Sequence, residues 1–385
     1  MLKIFHTADL HLDSPFSSLP PSVAEKRREE LRRVFVGMMQ TAADENVDLV
    51  LCPGDLFDSG FVSKETVRVL CEGFGRLRCP VVICPGNHDP YTPRSVYASG
   101  ELPGNVRVFR EETPSSFDFP ELGVDVWGAA FTRPFMENPP MVRVPALGSD
   151  KIHILCQHGD TRSPLSKTCP LNPRDIAYRG FTYAALGHIH VPGEPEVLSG
   201  TAGTTTVAYS GCPMGRSFDE PGFGGALMVT IDRDRRVTVE RRRVTDKRYM
   251  VEQLDVTGLD SGTDVASRLR AMLGGKGYGR ETSLRVILRG EVAPTVAFSC
   301  QAIARSCADG LEHLELRDRT LPVFEAEYLE SDMTLRGALY RELLPRLREG
   351  SEAERSVAAD ALRAGLAAID GRAILPDALS VEVDE

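Results

Sequence analysis

The chain has no apolar run approaching the ~18 residues that a membrane-spanning helix requires. Its start, Met1–His6, is too short an apolar stretch for a secretory signal and soon meets the charged Asp9. None of its nine cysteines forms a CxxC pair, and scattered thiols of this kind read as reduced core residues of a cytoplasmic protein. Positive charge is also short: 45 Lys and Arg against 55 Asp and Glu leave a net charge of −10. That balance argues against a surface coated for nucleic acid, although divalent cations at a carboxylate site would reverse the local sign. There is no internal repeat. The Gly-rich stretch Gly274–Gly279 lacks the strand–turn–helix setting of a phosphate loop and reads as a turn. What remains is ordinary for a globular chain, 42% hydrophobic and 26% charged, which excludes a largely disordered one. At roughly 150 residues per domain, 385 residues predict two or three domains.

The first half alternates short apolar runs, Leu2–His6, Val47–Cys52 and Val81–Cys84, with helical stretches over Ser22–Asn46 and Ser63–Arg78. Ser22 and Glu25 have the spacing of a capping box, and Glu65 suits the first turn after Ser63. This order predicts a layered sheet with right-handed crossovers. Lys151–Gln157 and Phe181–Leu186 look like further buried strands. Thr204–Tyr209, Gly225–Ile231 and Val237–Val244 follow without intervening helices, which predicts a second, antiparallel-type sheet behind the first. The pattern changes near Thr245–Tyr249. Beyond it, Met250–Val256, a helix near Asp264–Leu273 and Ser283–Leu288 predict a small α+β unit, continued by a helix over Val296–Ala308 and a strand over Leu311–Leu316. Two charged, Ala/Leu-rich helices, about Thr334–Arg348 and Glu352–Ile369, complete the prediction. Leu335, Leu339, Leu343 and Leu347 recur every four residues there, a face that packs on its own domain or on a partner.

The chemistry-bearing residues fall in loops that follow predicted strands, where α/β sheets bind ligands. They are Asp9-Leu10-His11, Gly54-Asp55-Leu56-Phe57-Asp58, Gly86-Asn87-His88-Asp89, Gln157-His158-Gly159-Asp160 and Gly187-His188-Ile189-His190. Five of the eight histidines lie in these loops. His6 and His153, in strands, read as packed core residues, and His313 matches no motif. Imidazole with carboxylate and amide oxygen suits manganese, iron or zinc, and the absence of cysteine from the set disfavours a structural zinc. The donors are too many for one ion. A pair of metals ~3.5–4 Å apart, bridged by a carboxylate, fits better.

The ordered series DxH, GDxxD, GNHD, HG and GHxH resembles the calcineurin-like metallophosphoesterase superfamily. Residues His6–Phe16 and Gly54–Gly60, with Tyr209-Ser210-Gly211, resemble its DNA-repair exonuclease branch, the SbcD- and YhaO-like proteins. The motifs cover about the first 215 residues. The resemblance implies a four-layer α/β/β/α metallophosphoesterase sandwich over residues 1–245, a smaller α+β capping, DNA-binding domain over 246–332, and a C-terminal helical segment over 333–385 for partner docking. Carried over by position, Asp9, His11, Asp55 and His190 would hold one metal, and Asp55, Asn87, His158 and His188 the other, with Asp55 bridging. A water or hydroxide between two ions, manganese first with iron or zinc as alternatives, would attack phosphorus in line. His88 would position the phosphate and protonate the leaving oxygen, and Asp89 would either fix its tautomer or cap a turn. Asp58 stands where some relatives carry a histidine.

Arg241, Arg242 and Arg243, with Arg233, Arg235, Arg236, Lys247 and Arg248, form the one basic cluster suited to DNA phosphates; the alternative is a solvated ribbon paired with Glu240 and Asp246. Arg133, Lys151, Arg162 and Lys167 punctuate the loops of the candidate site. The expected activity is metal-dependent DNA cleavage, 3′→5′ at ends with endonuclease action on single strands, in DNA repair. The resemblance also implies an SbcC-like or YhaN-like SMC-type ATPase partner and a possible homodimer. Competing readings are a small-substrate phosphodiesterase or phosphatase, a DNA-end or partner-binding scaffold, and a protein serine/threonine phosphatase.

Overall fold

The structure is a computed structural model that describes residues 1–369 apart from 18, 59, 60, 149, 202, 294, 295, 297 and 323–325. Ser59 and Gly60 of the second motif, and residues 370–385 of the expected helical tail, lie outside the described residues. The chain divides into two compact units, Met1–Arg248 and Tyr249 onward. Among the described residues, no helix is long and apolar enough to cross a membrane.

The first unit holds β1 (Leu2–His6), α1 (Pro21–Asp44), β2 (Leu49–Cys52), α2 (Lys64–Gly75), β3 (Val81–Ile83), β4 (Val106–Val108), β5 (Ser115–Phe119), β6 (Val124–Gly128) and β7 (Ile152–His158). These are followed by α3 (Pro173–Arg179), β8 (Tyr183–Gly187), β9 (Glu196–Gly200), β10 (Gly203–Tyr209), β11 (Gly222–Ile231) and β12 (Val237–Asp255), whose last residues open the second unit. One sheet has the order β12–β11–β1–β2–β3–β4 and the other β5–β6–β7–β8–β10–β9.

The layering follows from the period of two along each strand, which sends successive side chains to opposite faces. Phe5, Val50, Cys52, Val81 and Ile83 pack against Leu31, Phe35, Met38 and Leu70 of α1 and α2. Their neighbours Ile4, Leu49, Leu51 and Val82 meet Val126, Ile154, Cys156, Tyr183 and Ala185 of the second sheet. On that sheet's far face Leu155, Ala184 and Leu186 pack with Ile176 of α3 and Phe181. The result is helix, sheet, sheet, helix: the α/β/β/α sandwich.

Several local expectations are corrected. The expected strands Gly225–Ile231 and Val237–Val244 do not join the second sheet; they lie in β11 and β12 of the first, where β11 pairs antiparallel with β1, Ile4 opposite Val229 and His6 opposite Leu227. The second sheet is mixed, with β6, β7, β8 and β10 parallel in register and antiparallel strands only at its edges. The Ser22–Glu25 capping box does not form. The helix begins earlier, at Pro21 after Pro20, where a fixed φ and a missing N–H are tolerated. Glu25 instead accepts hydrogen bonds from Arg28 at 2.7 Å and Arg32 at 3.0 Å. Ser63 does cap α2, its Oγ accepting from the Thr66 N–H at 3.2 Å.

The strand does not break at Thr245–Tyr249; β12 continues to Asp255, its residues from Tyr249 belonging to the second unit. It is followed by α4 (Gly262–Lys276), β13 (Thr282–Arg289), β14 (Glu291–Val292), α5 (Cys300–Cys307), β15 (His313–Asp318), β16 (Leu321–Pro322), α6 (Ala326–Ser331), α7 (Leu335–Glu349) and α8 (Glu352–Ile369). Leu284, Val286 and Leu288 on one face of β13 pack with Val265 and Leu269 of α4 and Ile303 of α5. The expected helix from Val296 starts only at Cys300, because Ser299 turns its Oγ back to cap it. Gly274 and Gly275 continue α4 and are not a turn; Gly277, at φ 62°, ends it. Leu339, Leu343 and Leu347 pack with Leu362 and Leu366 of α8, whereas Leu335 is exposed.

Phe35 stands edge-on to Phe74 with ring centroids 5.3 Å apart and is fully buried. Phe35→Ala is expected to destabilise the protein by about 3–5 kcal/mol, read as a lowered urea midpoint. A midpoint unchanged within error would show that α1 and α2 are not held there.

Candidate metal centre

The motif loops leave the carboxyl ends of β1, β2, β3, β7 and β8, and backbone hydrogen bonds stitch them together. The Asp9 N–H donates to Gly54 O at 3.1 Å and the His11 N–H to Asp55 O at 3.0 Å. Asp9 (φ 53°), His11 (φ 46°), Asp55 (φ 52°) and His188 (φ 107°) occupy left-handed backbone that non-glycine residues rarely adopt. Such conformations cost on the order of 1–3 kcal/mol each and persist where the surroundings impose them, commonly at functional sites. Glycine is required next to them. A Cβ at Gly54 would fall 2.5 Å from the His158 ring, and one at Gly86 would collide with the Asp55 carboxylate.

One donor set is Asp9, His11, Asp55 and His190, whose ligand-type atoms lie within 4.8 Å of one another. His11 Nδ1 donates to Asp58 Oδ1 at 2.8 Å and His190 Nδ1 to Glu220 Oε1 at 2.7 Å. Each carboxylate fixes its ring's tautomer, so both Nε2 lone pairs point inward, and they meet at 3.0 Å. Two lone pairs at that distance repel unless a proton or a cation lies between them.

A second set adjoins it through Asp55, whose Oδ2 is 3.7 Å from His11 Nε2 and 3.4 Å from His158 Nε2. His158 Nδ1 donates to Pro53 O at 3.0 Å, which leaves its Nε2 lone pair facing Asn87 Oδ1 at 2.9 Å. Two acceptors again face one another. The His188 ring meets the His158 ring edge-on at 5.2 Å, and its Nε2 is 3.1 Å from Thr168 Oγ1. This donor set, rich in facing acceptors, fits divalent cations.

The electrostatics agree. Burial, with the neighbouring Asp55 carboxylate, raises the Asp9 carboxyl to about 8 against the pull of His190. Burial opposes ionisation of Asp55 too, but His158, His11 and His88 together bring it below the ordinary carboxylate value. Burial lowers His11 and His158 and takes His188 down to about 4, so these rings are neutral near pH 7 and free to ligate. His190 is raised despite its burial by Glu220 and Asp9, which places the shared proton of the facing pair on it.

His88 is half exposed, its ring edge-on to His11 at 4.9 Å and its Nδ1 3.4 Å from Asp58 O. Asp89 does not hold it. The Asp89 carboxylate is buried and accepts N–H bonds from Gly86 at 2.7 Å and Leu56 at 2.7 Å, tying the second loop to the third. The turn-binding role is therefore the one it fills. Asp58, with no histidine in its place, orients His11. Arg216, Glu220 and Thr168 were not singled out by sequence. Arg216 donates to Asp58 Oδ1 at 3.0 Å and Glu220 Oε1 at 2.6 Å. His6 is fully buried between Tyr183 OH at 2.8 Å and Leu186 O at 3.1 Å, and His153 is buried against Asp125 at 2.6 Å.

The arginine trio splits. Arg241 donates to Ser210 O at 2.6 Å, which fixes it to the core. Arg242 pairs with Glu240 at 3.1 Å and Arg243 with Asp246 at 2.6 Å, the ion-paired ribbon. Arg243 also stacks over Phe223 at 3.7 Å.

The profile of the calcineurin-like phosphoesterase family matches residues 2–192. YhaO of Bacillus subtilis strain 168, an uncharacterised metallophosphoesterase, is 30% identical over 312 residues, spanning 75% of this chain and 72% of its own. Among solved structures, TT1561 of Thermus thermophilus is 15% identical, covers 62% of this chain and 98% of its own, and has a TM-score of 0.38. A dimetal phosphatase from Danio rerio is 11% identical over 63% of this chain and 96% of its own, with a TM-score of 0.40. The chain belongs to the calcineurin-like metallophosphoesterases, in the YhaO-like branch, and is a metal-dependent phosphoester hydrolase.

Asp9, raised to about 8, keeps its proton in the metal-free protein below that pH, and a cation must expel it. In linkage terms a raised carboxyl contributes stability below its unfolded value that is lost as pH rises through about 8. Manganese should therefore raise the melting temperature of the metal-free chain more at pH 8 than at pH 6. An equal or larger shift at pH 6 would contradict the placement of Asp9.

Proposed function

We propose that this chain is a two-metal phosphodiesterase that cuts DNA, removing nucleotides from ends in the 3′→5′ direction and opening single strands internally, in DNA repair. The observation that carries the hydrolytic reading is the pair of donor sets sharing Asp55, with half-exposed His88 at their edge. Asp9, His11, Asp55 and His190 would hold one cation, and Asp55, Asn87, His158 and His188 the other. Manganese suits these donors, as do iron and zinc. When bound, the two cations would lower the pKa of a water and neutralise phosphoryl oxygens.

The chain's own residues do the rest. Asp58 and Glu220 keep the Nε2 atoms of His11 and His190 directed inward. Pro53 O does the same for His158. His88, at the edge of the centre, would position the phosphate and protonate the leaving oxygen. The choice of DNA is supported by the likeness of His6–Phe16 and Gly54–Gly60 to the exonuclease branch. Arg242 and Arg243 can exchange their surface carboxylate partners for phosphate, since such exposed pairs contribute only ~0–1 kcal/mol. An SMC-type ATPase would supply ATP hydrolysis, and the cytoplasm is the matching compartment.

The test is a manganese assay on end-labelled duplex and single-stranded DNA beside bis-p-nitrophenyl phosphate, with His88→Ala. DNA should shorten from the 3′ end. His88→Ala should cut turnover by about 10²–10⁴-fold while manganese binding persists. Hydrolysis of the small diester with DNA untouched would overturn the DNA reading. Loss of metal from His88→Ala would overturn the role of His88.

A further inference from the structure

Two carboxylates orient the inward-facing histidines of the first donor set, and one guanidinium holds both carboxylates. Arg216 Nη1 donates to Asp58 Oδ1 at 3.0 Å and to Ser14 Oγ at 3.2 Å. Its Nη2 donates to Glu220 Oε1 at 2.6 Å, and its backbone N–H to Glu220 Oε2 at 2.7 Å. The same Asp58 oxygen accepts from His11 Nδ1, and the same Glu220 oxygen from His190 Nδ1. The group is largely enclosed, with side-chain exposures of 18% for Arg216, 17% for Asp58 and 7% for Glu220. Carboxylates brought together in such a place repel, and a planar fork with donors on separate nitrogens reconciles them where a lysine's point charge would not.

The second donor set is held differently. His158 is fixed by the Pro53 carbonyl and His188 by the Thr168 hydroxyl. The two halves of the centre therefore rest on unlike supports, one on a charged bracket and one on neutral oxygens.

We infer that Arg216 is a positioning residue that sets the affinity of the His11/His190 cation site selectively, through Asp58 and Glu220. This rests on the two-cation reading above. The experiment is calorimetric titration of the metal-free full-length chain with manganese, alongside thermal unfolding without metal. The wild type should take up two ions. Arg216→Met should weaken one of them by about 10–100-fold, the range for groups that orient ligating histidines, and leave the other within about twofold. Arg216→Lys should restore the melting temperature more than the affinity, a separation that a merely structural role would not give. Should Arg216→Met fail to fold, Arg216→Lys and Glu220→Gln carry the same expected split. Two ions bound with both affinities unchanged, or both weakened alike, overturns this inference alone. A wild type that binds fewer than two ions overturns the two-cation reading and this inference with it.

Discussion

The constraint on which the rest depends is the burial of two carboxylates, Asp9 and Asp55, each 1% exposed, at the ends of neighbouring strands. Unit charges ~4 Å apart interact by about 4 kcal/mol even at an effective dielectric of 20, so two buried anions cannot sit together uncompensated. Without metal the protein answers by protonation: Asp9 is pushed up to about 8 while histidines keep Asp55 ionised. Cations would replace those protons. The left-handed backbone at Asp9, His11, Asp55 and His188, and the close approaches at Gly54 and Gly86, bring these donors together.

The sandwich serves that constraint. Strand alternation buries apolar residues on both faces of each sheet, so the strands stay rigid where their ends must bring donors together. Polar support is then laid around the donors in layers. Asp89 ties the loops after β2 and β3, Asp58 and Glu220 orient rings, and Arg216 joins the latter two. Groups outside the two donor sets thus decide where the donors stand.

The candidate donors were legible in the sequence because each sits in a short motif whose residue types are chemically unusual together. Asp9-x-His11 and His188-x-His190 need no knowledge of the rest of the chain. Arg216 and Glu220 were not legible, since their partners Asp58 and His190 lie 158 and 30 residues away and no periodicity marks them. Gly225–Ile231 was legible as a strand but not as the partner of β1, because an apolar run shows that a strand is buried without showing against what. The Glu25 cap failed for a local reason, Pro20 and Pro21 having started the helix before Ser22. Arg242 and Arg243 take the alternative that the sequence offered, pairing with Glu240 and Asp246, whereas the tie of Arg241 to the carbonyls of Ser210 and Tyr209 was not legible because those partners lie 31 and 32 residues away.

Asp55 is the residue that joins the two donor sets, so the most direct test is the metal content of reconstituted wild-type and Asp55→Ala chains. The wild-type chain should hold two divalent ions, and a folded Asp55→Ala chain should retain none. A variant that still holds two would show that the sets do not share a carboxylate, and the proposed centre would have to be abandoned.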